Sequence, residues 1–192
     1  MKQRLHLFLT LLLGLIVLAA TATAQTISWK KIVGIIPVNN VVGSGTGAVT
    51  GGFLPWTTIE GAARVDLRDG RIEFVVRGLV FAGGGPGITI GTAGPVTAVN
   101  GTLVCDADGS AGSGNSVLVQ TSSVPLTSAG DAFFSGKVGT IPSVCQTEPD
   151  IAFLVRVTAF GGNTTASGPW IANGTVLLRG DQRDHDHDGD RH

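Results

Sequence analysis

Histidine, tyrosine and methionine are almost missing from this chain. Its 192 residues include no tyrosine, one methionine, two cysteines and four histidines. Between Gln25 and Gly180 the sequence contains no histidine at all. Serine and cysteine nucleophiles need a nearby imidazole, and catalytic zinc sites usually include histidine ligands. The composition therefore excludes histidine-based catalysis from this part of the chain, and we expect a protein that is not an enzyme.

An excess of charge of either sign is also lacking. The formal net charge is −1, and charged residues make up 14% of the sequence. Within residues 25–180 the lysines and arginines balance the aspartates and glutamates. Because no basic stripe is available to neutralise phosphates, binding of nucleic acid is not expected.

The first 24 residues have the pattern of a cleaved signal peptide. Lys2 and Arg4 precede an apolar run over residues 7–20, and Ala22-Thr23-Ala24 forms a small-x-small cleavage site. The apolar run is shorter than the roughly 20 residues that span a bilayer. We therefore expect a secreted protein, extracellular or periplasmic, with no membrane insertion after cleavage. An uncleaved signal anchor is the alternative.

The two cysteines, Cys105 and Cys145, are predicted to form a disulfide, because exported proteins fold under oxidising conditions. Closing a loop of this length stabilises a fold by about 4 kcal/mol in the chain-entropy model. The alternatives are a metal-binding pair or two free thiols. Two cysteines without a histidine make a poor zinc site.

The pattern of apolar residues indicates an all-β domain over residues 25–180. Short β-branched or alternating runs are separated by Gly, Pro, Ser and Asn, as in an antiparallel β-sandwich or a jelly-roll-like single domain. The glycine-rich stretches at 42–52, 83–87 and 109–114 are predicted to be turns or loops. The candidate strands are Lys31–Val38, Ala48–Leu54, Thr58–Arg68, Arg71–Phe81, Pro95–Cys105, Ser116–Thr121, Ala132–Thr140, Ile151–Phe160 and Trp170–Arg179.

The Asp69-Gly70 dipeptide predicts a β-hairpin with a two-residue type I′ turn. In that register one face of the hairpin is wholly apolar, and the other carries charged residues that we expect to be solvated. The apolar pairs would be Leu67 with Ile72, Val65 with Phe74, and Ala63 with Val76.

Carboxylates remain available for chemistry. Glycoside hydrolysis needs two of them at a defined separation, although none here lies in a recognisable motif. A carboxylate-dependent glycan hydrolase is therefore the alternative to a protein without activity. The candidate acids are Glu60, Glu73, Asp131, Glu148 and Asp150.

Two acidic stretches are candidates for a hard cation. Residues 106–110, Asp-Ala-Asp-Gly-Ser, favour an Asx-type turn, with a cation site as the alternative. The tail, residues 181–192, is predicted to be a disordered acidic and histidine-containing segment. It reproduces the start of a calcium-binding EF-hand loop without the later bidentate glutamate. Weak capture of Ca²⁺ or a transition metal there would use Asp184, Asp186, Asp188, His185 and His187. No other cofactor is expected.

Three tryptophans are the remaining notable residues. Trp29, Trp56 and Trp170 would form a glycan-stacking platform if they were exposed together, and otherwise pack in the core. The sequence as a whole predicts a secreted, non-catalytic binding or structural β-domain whose partner is a protein or a glycan. The hydrolase and a glycan-binding module are the alternatives.

Overall fold

The computed structural model describes residues 26–147 and 150–179. The predicted signal peptide, Glu148, and the predicted tail with its candidate metal ligands lie outside the described residues. The regular secondary structure of the described chain is almost entirely β-strand. Its strands are β1 Thr26–Gly34, β2 Val41–Val42, β3 Val49–Thr50, β4 Trp56–Thr57, β5 Glu60–Asp66, β6 Arg71–Arg77, β7 Val80–Phe81, β8 Val96–Cys105, β9 Val117–Gln120, β10 Val124–Pro125, β11 Ala132–Lys137, β12 Ala152–Phe160, β13 Asn163–Thr164 and β14 Trp170–Arg179.

Helical structure is limited to short pieces in the described ranges. A 3₁₀ turn covers Gly45–Gly47, and one α-helical turn, α1, covers Val144–Thr147. Among the described residues no helix has the length and apolar character needed to cross a membrane. The all-β prediction therefore agrees with the structure.

The strands form one large antiparallel sheet and two small ones. The ten-stranded sheet has the order β10-β8-β12-β14-β1-β5-β6-β11, with β9 also paired to β8 and β13 to β12. The small sheets are β2-β3 and β4-β7. The two ends of the main strand order, β10 and β11, follow each other in sequence. The main sheet therefore curls until its two ends approach each other.

A single hydrophobic core fills the curled sheet. Phe153 on β12 packs against Trp29 on β1, with ring centroids 5.4 Å apart, and against Phe74 on β6, at 5.7 Å. Three strands separate β12 from β6 in the sheet order. The contact between Phe153 and Phe74 is therefore made across the core, whereas only β14 lies between the strands that carry Phe153 and Trp29.

The predicted disulfide is confirmed. Cys105, the last residue of β8, is bonded to Cys145 on α1, and both residues are fully buried. The bond joins residues 40 positions apart. The loop that it closes contains β9, β10 and β11, and the last two of these end the strand order of the main sheet.

Most strand positions agree with the sequence pattern, but several boundaries differ. β1 begins at Thr26 instead of Lys31, and the strand expected at Ala48–Leu54 is only two residues long. The run expected at Arg71–Phe81 is divided into β6 and β7, because Gly78 between them has φ of +62°. Periodicity alone does not reveal such a break, since the apolar pattern continues through it.

The predicted register of the β5–β6 hairpin is wrong by two residues. Val65 pairs with Ile72 and Ala63 pairs with Phe74, so the loop contains four residues instead of two. Asp66 causes the difference, because its Oδ1 accepts hydrogen bonds from the backbone N–H groups of Arg68 and Asp69, at 2.9 and 3.2 Å. A two-residue shift keeps the same side chains on the core face, so the apolar face was predicted correctly.

Candidate functional site

The three tryptophans all lie in the core. Trp29, Trp56 and Trp170 are 2%, 2% and 3% exposed. The Trp29 ring packs against Phe153, and the Trp170 Nε1–H donates a hydrogen bond to the backbone oxygen of Asn40, at 3.1 Å. A sugar stacks on an exposed ring face, and these rings present none in this structure. Packing in the core, the other arrangement that the sequence allowed, is the one adopted.

An open apolar pocket of about 240 Å³ lies where β4, β7, β12 and β14 approach one another. The Trp56 and Phe81 rings pack together beneath it, with centroids 4.0 Å apart. Phe53 and Phe160 stand beside it and are 67% and 43% exposed. Most of its lining is apolar. The pocket is lined by Gly52, Phe53, Leu54, Trp56, Phe81, Val96, Val157, Phe160, Thr165, Gly168, Pro169 and Ile171.

Backbone hydrogen bonds hold the walls of this apolar pocket. The N–H of Trp56 donates to the oxygen of Ile35 at 2.7 Å, which attaches β4 to the end of β1. The N–H of Gly52 donates to the oxygen of Trp170 at 2.8 Å. Residues far apart in sequence are thereby brought to one pocket, so no local motif marks it.

A buried arginine supports another wall of the apolar pocket. Arg156 on β12 is 8% exposed, and burial lowers the pKa of its guanidinium below the ordinary value. Its Nε donates to the backbone oxygen of Gly168 at 2.8 Å, and its Nη2 donates to that of Ser167 at 3.0 Å. Arg156 therefore positions the segment that contributes Gly168 and Pro169 to the pocket. In the sequence, the only indication of this structural role is a single arginine within the otherwise apolar run of β12.

A second, polar cleft of about 340 Å³ lies on the other side of residues 164–166. Its side chains are connected through Ser167, which accepts a hydrogen bond from Asn100 Nδ2 at 3.0 Å and donates one to Gln120 Oε1 at 2.8 Å. The cleft is lined by Ala98, Asn100, Gln120, Thr121, Ser122, Ser123, Thr158, Ala159, Thr164, Thr165 and Ala166.

Three aspartates come together directly beside the disulfide. One carboxylate oxygen from each of Asp106, Asp108 and Asp150 lies within 4.8 Å of the others. Asp106 is 1% exposed, Asp150 is half-buried and Asp108 is exposed. Only the Asp106–Asp108 pair is local in sequence. We call these three residues the aspartate cluster.

The loop around the aspartate cluster is built by hydrogen bonds to its carboxylates. The Ser110 N–H donates to Asp108 Oδ1 at 2.8 Å, which confirms the predicted Asx-type turn. Hydrogen bonds from Ser110 also lower the pKa of the Asp108 carboxyl below its ordinary value. Asp150 Oδ2 accepts the N–H of Asp108 at 2.8 Å, and Asp106 Oδ1 accepts the N–H of Ala111 at 3.1 Å.

The other described acids considered for a hydrolase, Glu60, Glu73 and Asp131, are not part of the aspartate cluster. Glu60 and Glu73 each form an exposed ion pair with an arginine of β6, at 2.8 and 3.6 Å. Asp131, next to the start of β11, accepts a hydrogen bond from a backbone N–H at 3.1 Å. Of the four candidates among the described residues, Asp150 is therefore the one that lies close to further carboxylates.

Fold and sites together define a disulfide-bonded all-β domain that carries an apolar pocket, a polar cleft and an aspartate cluster. Comparison of the chain with protein-family models, with curated proteins and with solved structures finds no match. The function must therefore be argued from the sites themselves.

Proposed function

We propose that this chain is a secreted, non-catalytic binding domain that holds a small apolar molecule in the apolar pocket. The observation that carries the proposal is the pocket itself, an open concave surface lined mainly by apolar side chains. Concave apolar surfaces of this kind are the usual binding sites for small molecules.

The size of the pocket indicates the size of the ligand. Its volume is about 240 Å³. A protein cavity of about 150 Å³ accepts benzene. The pocket therefore suits a group larger than one benzene ring, such as a bicyclic ring or a branched alkyl group. The exposed rings of Phe53 and Phe160 extend the contact area at its mouth.

The proposed location outside the cytoplasm rests on two observations. One is the signal-peptide pattern of residues 1–24, and the other is the disulfide, which is typical of oxidising compartments. We also propose a sandwich-like arrangement, in which the two halves of the curled sheet face each other. The contact between the Phe74 and Phe153 rings across the core supports it.

A titration with N-phenyl-naphthylamine tests the proposed pocket, because this probe fluoresces more strongly in apolar surroundings. We expect saturable binding at one site. Substituting Phe53→Ala or Phe160→Ala should weaken it by about fivefold, because about 1 kcal/mol of apolar contact corresponds to that factor.

Phe133→Ala is the matched control. Phe133 is 64% exposed, close to the value for Phe53, but lies on β11, outside the apolar pocket. Its removal should leave probe binding unchanged. Equal losses in all three variants, or fluorescence that never saturates, would rule the pocket out as the binding site. Circular dichroism of each variant checks that the fold is retained.

Glycan binding is a second candidate because of the polar cleft. Its amide and hydroxyl side chains can donate to and accept from sugar hydroxyls. Gln120→Ala removes an amide side chain from this cleft. Gln146→Ala is the control, because it removes the same type of side chain from α1, outside the cleft. In a screen of soluble oligosaccharides by NMR, binding that is lost only with Gln120→Ala would favour this candidate over the apolar ligand.

A carboxylate-dependent hydrolase receives less support from the geometry. One oxygen of each carboxylate in the aspartate cluster accepts a backbone N–H of residues 108–111 and helps to build that loop. Glu60 and Glu73 are paired with arginines on the exposed face. The non-catalytic proposal predicts no release of reducing sugar from the oligosaccharides used in the screen.

A further inference from the structure

The aspartate cluster contains buried carboxylate oxygens that have no hydrogen-bond partner. Within the described residues, Asp106 Oδ2 and Asp150 Oδ1 are both buried and accept no hydrogen bond. Asp106 is only 1% exposed, and one of its carboxylate oxygens lies within 4.8 Å of one oxygen each of Asp108 and Asp150. The second oxygen of each of these two carboxylates is already used by the loop backbone. The unpartnered oxygens are therefore left over after the loop has been built.

Such an arrangement is unfavourable unless positive charge is supplied. Burying a charged oxygen without a partner is costly, and nearby carboxylates repel one another. The ion pairs seen between described residues lie on the exposed face of the sheet and involve none of the three aspartates. A bound cation would remove both penalties at once.

We propose that Asp106, Asp108 and Asp150 form a Ca²⁺ site. Calcium binds oxygen ligands at about 2.3–2.6 Å, so two oxygens on one ion are separated by at most about 5 Å. The observed spacing of no more than 4.8 Å meets this condition. Calcium also accepts irregular geometry and takes backbone oxygens and waters as further ligands. Zinc prefers nitrogen and sulfur, and the cysteines here are both in the disulfide.

The site joins two segments that are distant in sequence. Asp106 directly follows the end of β8, and Asp150 lies shortly before β12, the strand paired with β8. Because the disulfide joins the same two regions, the ion and the disulfide together hold the loop of residues 106–116 against the sheet. The Ser116 hydroxyl continues this support, since it donates to the backbone oxygen of Asp106 at 2.7 Å and accepts the Ser44 N–H at 2.7 Å.

Isothermal titration of the purified, chelator-treated protein with CaCl₂ tests the proposal directly. We expect binding with a dissociation constant of about 10⁻⁴ M, in the range of extracellular calcium modules. At a calcium concentration a hundredfold above that value, the melting temperature should rise by about 5–10 °C. Magnesium should bind more weakly, since it requires a more regular geometry.

Two substitutions distinguish this site from other acids. Asp106→Asn and Asp108→Asn each remove one charge at nearly constant volume, and each should weaken calcium binding by at least about tenfold. Asp108 is exposed, so its variant keeps the test valid even if Asp106→Asn fails to fold. Asp131→Asn is the matched control, because Asp131 also accepts a backbone N–H but lies outside the cluster.

The tail must be tested separately, because it is also acidic. A variant with Asp184, Asp186 and Asp188 all changed to Asn should retain the calorimetric signal and the rise in melting temperature. The proposal is overturned if calcium neither binds nor raises the melting temperature. It is also overturned if binding is lost in the tail variant but kept in Asp108→Asn, or if magnesium binds more tightly than calcium.

Discussion

At the residue scale, glycines inside the strands decide which large side chains can enter the core. A Cβ atom on Gly174 of β14 would lie 2.6 Å from the Trp29 ring. On Gly101 of β8 it would lie 2.7 Å from Phe153. The sequence pattern indicated turns at the clustered glycines, but it offered no sign of these close approaches. They depend on which strand lies opposite, and a strand glycine often marks such a place.

Gly34→Ala should destabilise the protein by about 1–3 kcal/mol, the usual cost of overpacking. The new Cβ would collide with the backbone carbonyl of Trp56, which cannot rotate away as a side chain can. Gly85→Ala is the control, because a Cβ at that position would meet nothing within 4 Å and the φ of Gly85 is not positive. Urea unfolding should show the control to be neutral or slightly more stable. Equal midpoints for the two variants would contradict this account.

At the element scale, the β5–β6 hairpin shows how a side chain can override a turn preference. Asp69-Gly70 alone favours a two-residue turn. Asp66 instead binds two backbone N–H groups and produces a four-residue loop. The resulting register places Arg64 opposite Glu73 and Asp66 opposite Arg71. Unlike charges therefore face each other across the strands, which stabilises the pairing.

Asp69 should make the stability of this hairpin sensitive to acid. Two interactions lower the pKa of the Asp69 carboxyl below its ordinary value of 3.8. The larger effect comes from the hydrogen bond that the Arg71 N–H donates, and the smaller one from Lys137 at 3.2 Å. The folded protein then binds this proton less readily than the unfolded chain. The contribution to stability is therefore present above pH 3.8 and is lost as the pH falls through the lowered pKa.

Asp69→Asn measures that contribution. Thermal unfolding should find the wild type more stable than the variant near neutral pH, with the difference shrinking steadily as the pH falls below 3.8. Adding salt should reduce the difference, because the pair is exposed. A difference that stays constant across this pH range would show that the charge of Asp69 does not contribute.

At the scale of the whole molecule, the disulfide closes the loop that contains both ends of the curled sheet. The main sheet ends in β10 and β11, and both strands lie within the loop that the disulfide closes. Cross-linking the loop limits how far these edge strands can move apart in the unfolded chain. The same bond positions Cys105, and with it the adjoining aspartate cluster.

Replacing both cysteines by alanine should lower the free energy of unfolding by about 4 kcal/mol, the value expected for a closed loop of about 40 residues. Guanidinium unfolding of the oxidised wild type and the double variant measures the difference. Wild type reduced with dithiothreitol serves as the second comparison and should resemble the variant. An unchanged midpoint in both would show that the disulfide adds nothing to the stability.

The sequence by itself determined the type of structure, the disulfide and the turn at Asp108. The β-structure follows from the alternation of apolar and polar residues along the chain. The disulfide follows from the presence of a single cysteine pair, and the turn from a hydrogen bond between residues two positions apart. The apolar face of the hairpin was predictable as well, since a side-chain period of two survives an error of two residues in register.

Only the tertiary structure decided the strand order, the burial of the tryptophans and the makeup of the sites. The apolar pocket joins Phe53 to Phe160, and the aspartate cluster joins Asp108 to Asp150. Phe53 meets Phe160 because Gly52 bonds to Trp170 and β14 lies beside β12. Asp108 meets Asp150 because β8 lies beside β12. Short apolar strands can pair in many orders with similar local patterns, and the packing of the complete core selects one of them.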